Sequence, residues 1–317
     1  TFIKPTEHLL PMPVVKSLGD TATPERPTVK VLGCGGAGCN TLEDIPAIPG
    51  LETIGVNDME HGSILGMKNV IYLKRESLKG IALTAQKIPK ELLMAEEKEI
   101  ADHIRGADIV YIVSGLGGEM GTWAPSLIGK VAKKLNILSM AMVTLPFSVE
   151  SERRREVARQ GMATLRKTVD CVVEFSNDKL LKIAPDLPFT KAFYVMGQLM
   201  MSPILNFSRV VTKGDDKLLK QAFRECGVMR FGAGDGRGRE RTYLSVDDAF
   251  RSPWFDDVDP RDANLAIVLS CTTEGYPEDL EEVVSQTKTW APNADIYYGG
   301  YKEEMGDRMR TVVMLGV

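Results

Sequence analysis

The sequence of 317 residues has only three histidines, and its five cysteines include no close pair. His8, His61 and His103 are far apart along the chain, so no Ser-His-Asp or Cys-His arrangement is indicated. No two cysteines are separated by two residues, the spacing that zinc sites and redox motifs use. The sequence therefore predicts no metal site, and the odd number of cysteines favours a reduced, cytoplasmic location.

The sequence also lacks an excess of one charge and a long apolar run. The 39 Lys and Arg residues nearly balance the 43 Asp and Glu residues, so no broad basic surface for nucleic acid is expected. The longest apolar stretch, residues 192–211, is interrupted by polar residues, so no direct insertion into a membrane is expected. Residues 1–27 contain five prolines and little periodicity, which predicts an extended arm rather than a packed element.

From residue 28 to about residue 185, short apolar runs alternate with amphipathic segments. Residues 28–32, 108–114 and 137–143 are predicted strands, and an arginine-rich helix is predicted from about 150 to 167. Strands that alternate with helices in this way form parallel sheets with helices on both faces. The predicted fold class is therefore α/β, with a doubly wound parallel sheet.

Residues 189–211 are apolar on nearly every helical face, which predicts a central helix buried between two layers. Pro203 is predicted to kink or break this helix. Strands and helices that follow it predict a smaller α/β domain at the C-terminus. The predicted division of the chain is an arm at 1–27, a first domain at 28–188, the central helix at 189–211 and a C-terminal domain at 212–317.

Two glycine-rich loops each follow a predicted strand and open a helix. They are Gly33-Cys-Gly-Gly-Ala-Gly-Cys-Asn40 and Ser114-Gly-Leu-Gly-Gly-Glu-Met-Gly-Thr122. At such positions free backbone N–H groups and the helix dipole bind phosphate, and glycine lets the phosphate approach the backbone. The domain at 28–188 is therefore predicted to bind a nucleotide.

The first loop alone leaves open an NAD-dependent oxidoreductase. Gly33, Gly35 and Gly38 satisfy the dinucleotide fingerprint, and Asp58 lies twenty residues further on, where a ribose-binding acid is often found. The second glycine loop argues against this interpretation, because a dinucleotide fold has no need of it.

The two loops, together with Thr144-Leu-Pro-Phe-Ser-Val-Glu150 and Asn177-Asp-Lys-Leu-Leu181, make the chain resemble the tubulin/FtsZ superfamily of GTP-binding cytoskeletal proteins. It resembles FtsZ more than tubulin, and the resemblance extends from about residue 28 to residue 317. It implies GTP or GDP as the ligand, is compatible with Mg²⁺, and implies self-association into a homo-oligomer or filament.

The resemblance also implies roles for individual residues. Those implied to contact the nucleotide are Gly35, Gly36, Ala37, Gly38, Asn40, Gly117, Gly118, Glu119, Gly121, Thr122, Glu150, Arg154, Asn177 and Gln198. In this family a loop after the central helix supplies acidic residues to the nucleotide of the next subunit. Here that role falls to Asp215 and Asp216, the implied catalytic residues.

The chain departs from the family pattern in the second glycine loop and at three further places. Glu119 and Met120 stand where the family keeps small residues, and a carboxylate at a helix N-terminus competes with phosphate unless a divalent cation bridges the two. Leu83 replaces a small residue near the terminal phosphate, and Gln198 replaces the base-reading aspartate. The acidic loop is shortened at residues 212–217. We therefore keep two hypotheses: a filament-forming cytoskeletal or cell-division GTPase with weak hydrolysis, and a pseudo-GTPase that is a structural or regulatory subunit.

Two of the implied roles have purely structural alternatives. Asp215 and Asp216 could cap the helix that follows them without taking part in hydrolysis. Glu150 and Arg154 are four residues apart, so they are predicted to share a helix face, where they could clamp a ligand or form an ordinary surface ion pair.

Overall fold

A computed structural model describes residues 13–19, 25–43, 50–58, 64, 66–78, 90–224, 226, 228–273 and 277–316. The strands in this part of the chain are β1 Val15–Ser17, β2 Val29–Cys34, β3 Leu51–Asn57, β4 Val70–Tyr72, β5 Ile109–Gly115, β6 Leu138–Leu145, β7 Cys171–Ser176, β8 Val228–Arg237, β9 Leu265–Thr272, β10 Asp295–Lys302 and β11 Arg308–Gly316. The α-helices are α1 Gly35–Glu43, α2 Arg75–Leu78, α3 Lys90–Ile104, α4 Glu119–Lys134, α5 Glu152–Thr168, α6 Asn177–Ile183, α7 Phe189–Val210, α8 Asp215–Phe223, α9 Arg241–Phe250 and α10 Pro277–Trp290. None of these helices is both long and apolar enough to cross a membrane.

One sheet passes through both halves of the chain, in the order β1-β10-β9-β11-β8-β7-β6-β5-β2-β3-β4. From β4 to β8 every pair of neighbouring strands is parallel. In the C-terminal half, β11 is antiparallel to both β8 and β9. The predicted doubly wound parallel sheet with a smaller α/β part after it is confirmed. The domain boundaries at residues 188 and 211 stay predictions.

The core lies on both faces of this sheet. Adjacent residues of β5, Tyr111 and Ile112, are both fully buried but belong to different apolar clusters, because successive side chains of a strand point to opposite faces. One cluster includes α7 and the other includes α3, α4 and α5. Burial on both faces explains why the strands read as continuous apolar runs in the sequence.

The central helix α7 is continuous from Phe189 to Val210, although Pro203 lies inside it. The predicted break at Pro203 does not occur. Met200, Met201 and Ile204 around the proline are buried in the core, and this packing holds the helix together where one backbone hydrogen bond is lost. Burial is not complete, because Phe193 and Tyr194 are largely exposed. The prediction of a helix buried between two layers is wrong at this end.

Part of the proline-rich arm is packed, contrary to prediction. Strand β1 pairs in parallel with β10, and Leu18, just after it, is buried in the core. The apolar residues between the prolines give this segment a strand pattern that the proline count concealed. The first twelve residues and residues 20–24 lie outside the described part of the chain.

Strand β8 is a second element that the sequence did not predict. It contains Gly232, Gly234 and Gly236, and a sequence this rich in glycine is typical of a loop. A Cβ atom at these glycines would lie 1.9–2.3 Å from backbone atoms of α9. The glycines are needed because α9 packs directly on the strand.

Helices α4 and α5 also meet at a glycine. A Cβ at Gly161 would lie 2.1 Å from Cγ2 of Thr122, and the Thr122 hydroxyl is held by a hydrogen bond of 2.8 Å from the backbone N–H of Gly117. We therefore expect Gly161→Ala to lower the free energy of unfolding by about 1–3 kcal/mol in urea denaturation, although alanine is the better helix former.

The double variant Gly161→Ala/Thr122→Ser is the control. Serine keeps the hydroxyl that accepts the Gly117 hydrogen bond and removes the methyl group, so it should restore most of the lost stability. An unchanged stability of Gly161→Ala would contradict the predicted clash.

Candidate functional site

The first glycine loop joins β2 directly to α1. Gly35 has φ +68°, a conformation that favours glycine, and a Cβ there would lie 3.0 Å from the backbone nitrogen of Gly121 in the second loop. A Cβ at Gly38 would lie 2.3 Å from the carbonyl oxygen of Val113 on β5. Glycine at position 38 is therefore needed for packing of α1 on the sheet, whereas Gly35 brings the two loops together.

The second loop folds back on itself between β5 and α4. The Ser114 hydroxyl donates a hydrogen bond of 2.6 Å to the carbonyl oxygen of Gly121, and a Cβ at Gly121 would lie 2.4 Å from the carbonyl oxygen of Gly115. Thr122 is fully buried and accepts the hydrogen bond from Gly117. Gly117 and Thr122 therefore hold the loop in shape and do not face the space in front of it.

A cavity of about 320 Å³ lies where the N-termini of α1 and α4 meet. The predicted site residues that line it are Gly35, Gly36, Ala37, Gly118, Glu119, Gly121 and Arg154. The lining residues outside the predicted set are Cys34, Asn57, Asp58, Arg75, Gly115 and Met120. The two loops thus converge on one space, at the carboxyl edge of the parallel strands, where α/β proteins bind ligands.

The remaining predicted nucleotide contacts do not line this cavity. Gly38, Gly117 and Thr122 are packed behind it. Asn40 on α1 and Gln198 on α7 are exposed. Their helices are in contact, because a Cβ at Gly197, next to Gln198, would lie 3.0 Å from the hydroxyl oxygen of Thr41, next to Asn40. Asn40 and Gln198 therefore lie on helices that contact each other.

Asn177 is buried at the start of α6. Its side-chain oxygen Oδ1 is shielded from water and has no hydrogen-bond partner among the described residues. A buried acceptor without a partner costs free energy, so an unmatched one indicates a place where a ligand or water donates a hydrogen bond.

Glu150 and Arg154 form an ion pair, with 3.1 Å between Glu150 Oε2 and Arg154 Nε. The other carboxylate oxygen of Glu150 accepts a hydrogen bond of 2.8 Å from the backbone N–H of Phe147. Helix α5 begins only at Glu152, after the N-cap Ser151. The prediction that the pair shares a helix face is therefore wrong for Glu150, which lies in the preceding loop and ties that loop to Arg154.

Three charged side chains meet at the other side of the cavity. Arg75 on α2 donates a hydrogen bond from Nε to the Asp58 carboxylate, at the end of β3. This bond and the nearby negative charge of Glu119 raise the pKa of Arg75. Glu119 is the first residue of α4, where a carboxylate interacts favourably with the helix dipole. The second loop therefore places a negatively charged side chain, that of Glu119, at the site.

Cys34 lines the cavity as a buried thiol. Burial, with a smaller contribution from Cys39, raises the pKa of Cys34 well above its ordinary value, so the thiolate needed for metal binding or nucleophilic attack is disfavoured. Among the described residues, no group of three or more His, Cys, Asp and Glu side chains is arranged to hold a metal ion.

Asp215, one of the two implied catalytic residues, is buried and serves as a hydrogen-bond acceptor within the fold. Its Oδ2 atom accepts from the backbone N–H of Thr212 at 2.8 Å, the Thr212 hydroxyl at 3.0 Å and the backbone N–H of Gly19 at 3.0 Å. Asp215 therefore has a structural role, but it does not cap α8, because the N-cap of that helix is Gly214 and no side chain caps it. Asp216 is half-buried, and neither aspartate lines the cavity.

The sequence could have indicated two further cavity-lining residues, Asn57 and Asp58, but not a third, Arg75. Asn57 ends β3 and Asp58 follows it, and residues at the carboxyl ends of parallel strands are expected at the binding edge. Asp58 was considered only as a ribose-binding acid. Arg75 lies on the four-residue helix α2, which has no sequence signal of its own. Leu83 lies outside the described residues.

Comparison with known proteins agrees with this arrangement of loops. The sequence model described as "Tubulin/FtsZ family, GTPase domain" matches residues 28–185. Cell division protein FtsZ 1 of Thermococcus kodakarensis is 31% identical over 298 residues, which cover 90% of this chain and 80% of the relative. The FtsZ of Methanothermobacter thermautotrophicus is 30% identical, with 98% of this chain and 85% of the relative covered.

Solved structures show the same fold. A variant of FtsZ from M. jannaschii superposes with a TM-score of 0.79 at 28% identity, covering 92% of this chain and 91% of that structure. CetZ2 from Haloferax volcanii, described as a GTPγS-bound protofilament, has a TM-score of 0.69 at 15% identity, covering 91% and 92%. With the sequence matches and the paired glycine loops, these likenesses establish that the chain belongs to the Tubulin/FtsZ family.

Proposed function

We propose that the chain binds GTP or GDP in the cavity between the two glycine loops and self-associates as a cytoskeletal or cell-division protein with weak GTP hydrolysis. The observation that carries this proposal is the meeting of two helix N-termini at one cavity, held together at Gly35 and Gly121, whose positions do not accommodate a side chain. Membership of the Tubulin/FtsZ family identifies the ligand class. A cytoplasmic location stays a prediction.

The residues present fit a nucleotide. The free backbone N–H groups at the start of α1, in Gly35, Gly36 and Ala37, suit phosphate oxygens. A Cβ at Gly118 would meet nothing within 4 Å, so the backbone is open to a ligand there. The unmatched Oδ1 of Asn177 suits a donor on the nucleoside. The cavity volume lies near the lower end of the range for small-molecule sites, about 300–1,000 Å³.

We assign Arg154 to the phosphate or ribose side of the ligand, and Asn40, Asn177 and Gln198 to the nucleoside side. The Gln198 amide can both donate and accept, so it permits guanine without demanding it. When bound, GTP supplies the phosphoanhydride bond that hydrolysis cleaves. Mg²⁺ is compatible with the two carboxylates that line the cavity, Asp58 and Glu119.

We expect weak hydrolysis because Asp216 is the aspartate of the acidic loop that remains to act on a water molecule. The Asp215 carboxylate already accepts three hydrogen bonds inside its own subunit. Asp216 is left as the carboxylate that could polarise a water beside the nucleotide of the next subunit in a filament. FtsZ and CetZ2 are the relatives on which the proposal of self-association rests.

A pseudo-GTPase is the second candidate, and Glu119 is the observation that favours it. Its carboxylate lies at the N-terminus of α4, the position that would otherwise attract a phosphate. A subunit of this kind would bind nucleotide poorly and act through its contacts with other proteins. Nucleotide affinity and phosphate release separate the two candidates.

The effect of Glu119 on affinity can be measured with Glu119→Gln, which removes the charge and keeps the shape. We expect GTP to bind about tenfold more tightly, because a like charge no longer faces the phosphate groups. The measurement is calorimetric titration at fixed Mg²⁺ concentration. Glu91→Gln is the matched control, because Glu91 is an exposed glutamate in the first turn of α3 and does not line the cavity. Weaker binding by Glu119→Gln would contradict this interpretation and indicate that the carboxylate acts through a bound cation.

The different roles of the two aspartates predict opposite results on substitution. Asp215→Ala should lower the free energy of unfolding by about 2–4 kcal/mol, because it leaves buried donors without an acceptor. Asp216→Ala should change stability by less than about 0.5 kcal/mol and reduce phosphate release from GTP at least about tenfold. Urea denaturation and a phosphate-release assay at several protein concentrations give both values. Equal phosphate release by Asp216→Ala and the wild type would remove Asp216 from the mechanism.

A further inference from the structure

Arg75 stands at the edge of the candidate site, paired with Asp58 and close to Glu119. We propose that Arg75 is a phosphate-contacting residue that leaves Asp58 when nucleotide binds and compensates for the negative charge that Glu119 brings to the second loop. This inference rests on the proposed function, and it assigns to the site a cation that the family motifs in this sequence do not include.

The charges around the cavity favour such a cation. Among the described lining residues, Asp58 and Glu119 are negative and Arg75 and Arg154 are positive, so the lining carries no net positive charge. Arg154 is already paired with Glu150, at 3.1 Å. GTP brings several negative charges into this space, so a positive side chain that turns towards it strengthens binding.

The backbone that carries Arg75 is firmly held. Ser77 and Leu78 of α2 are fully buried, and the backbone N–H of Lys74 donates a hydrogen bond of 2.8 Å to the Glu96 carboxylate. Glu96 is itself buried between α2 and α3, and burial raises its pKa. These contacts fix where the Arg75 side chain starts, close to the cavity.

The guanidinium group of Arg75, in contrast, is free to move. Its side chain is 60% exposed, and the hydrogen bond to Asp58 uses Nε, which leaves the two terminal nitrogens outside that bond. A planar guanidinium matches two oxygens of a phosphate group at once. The Asp58 side chain is only 20% exposed, so the exchange is favourable because a phosphate group, with more negative charge than one carboxylate, attracts Arg75 more strongly.

The proposal predicts a graded response to the number of phosphates. A guanidinium attracts the more highly charged triphosphate more strongly than the diphosphate. Arg75→Gln should therefore weaken GTP binding by about 10- to 100-fold and GDP binding by a smaller factor. Arg75→Lys keeps the charge but loses the two-pronged geometry, so its GTP affinity should lie between those of Arg75→Gln and the wild type.

The experiment is calorimetric titration of the full chain with GTP and with GDP at one fixed Mg²⁺ concentration. Arg153→Gln is the matched control, because Arg153 is an exposed arginine on α5 that does not line the cavity. Thermal unfolding of each variant without nucleotide establishes that the fold is kept. If Arg75→Gln does not fold, Arg75→Lys carries the test alone, with weakened GTP binding as the expected result.

The outcomes separate this inference from the proposed function. If the wild type binds neither GTP nor GDP, the proposed function fails, and the role of Arg75 fails with it. If the wild type binds GTP and Arg75→Gln binds it as tightly as Arg153→Gln does, the nucleotide site stands and the role of Arg75 is overturned. An equal loss for GTP and GDP would overturn the preference for the terminal phosphate.

Discussion

Close contact between the backbones of the two glycine loops is the constraint on which the site depends. A side chain at Gly35 would press on the backbone of Gly121, and one at Gly121 would press on the carbonyl oxygen of Gly115. Because both contacts exclude a Cβ atom, the N-termini of α1 and α4 converge on one cavity at the carboxyl edge of the sheet. Thr122 and Gly161 extend this packing to α5. The positions of the phosphate-binding backbone groups therefore follow from packing.

Charge balance is the second determinant of function. The fold places the N-termini of α1 and α4, where the helix dipole favours negative charge, at the site. The Glu119 carboxylate already occupies the N-terminus of α4. Asp58 adds a second carboxylate to the cavity. The positive charges of Arg75 and Arg154 offset the negative charges of these two carboxylates. Under the proposed function, nucleotide affinity depends on the balance between these arginine and carboxylate groups. A few side chains that can be changed without disturbing the sheet would then set the affinity for GTP.

Much of the fold could be predicted because the strands β5 and β6 are apolar on both faces and the central helix α7 is long. Strand β8 was missed because its glycines, which let α9 pack closely, have the composition of a loop. Asp215 could not be assigned from sequence, because an aspartate that accepts hydrogen bonds from distant backbone, here Gly19, and one that polarises water look the same there. Arg75 could not be placed either, since its position depends on Glu96 and the buried face of α2.

The central claim is that the nucleotide site lies between the glycine loops. The most direct test is GTP binding to a variant whose added side chain narrows that cavity. Gly118 has an extended backbone with φ −94° and ψ 161°, and a Cβ there meets nothing within 4 Å, so Gly118→Val should fold normally and narrow the cavity between the loops. Ala163→Val, at an exposed position of α5 outside the cavity, is the control. We expect calorimetric titration to show that GTP binds to the wild type and to Ala163→Val, and at least about tenfold more weakly to Gly118→Val. Equal GTP affinities for all three proteins would contradict a nucleotide site between the glycine loops.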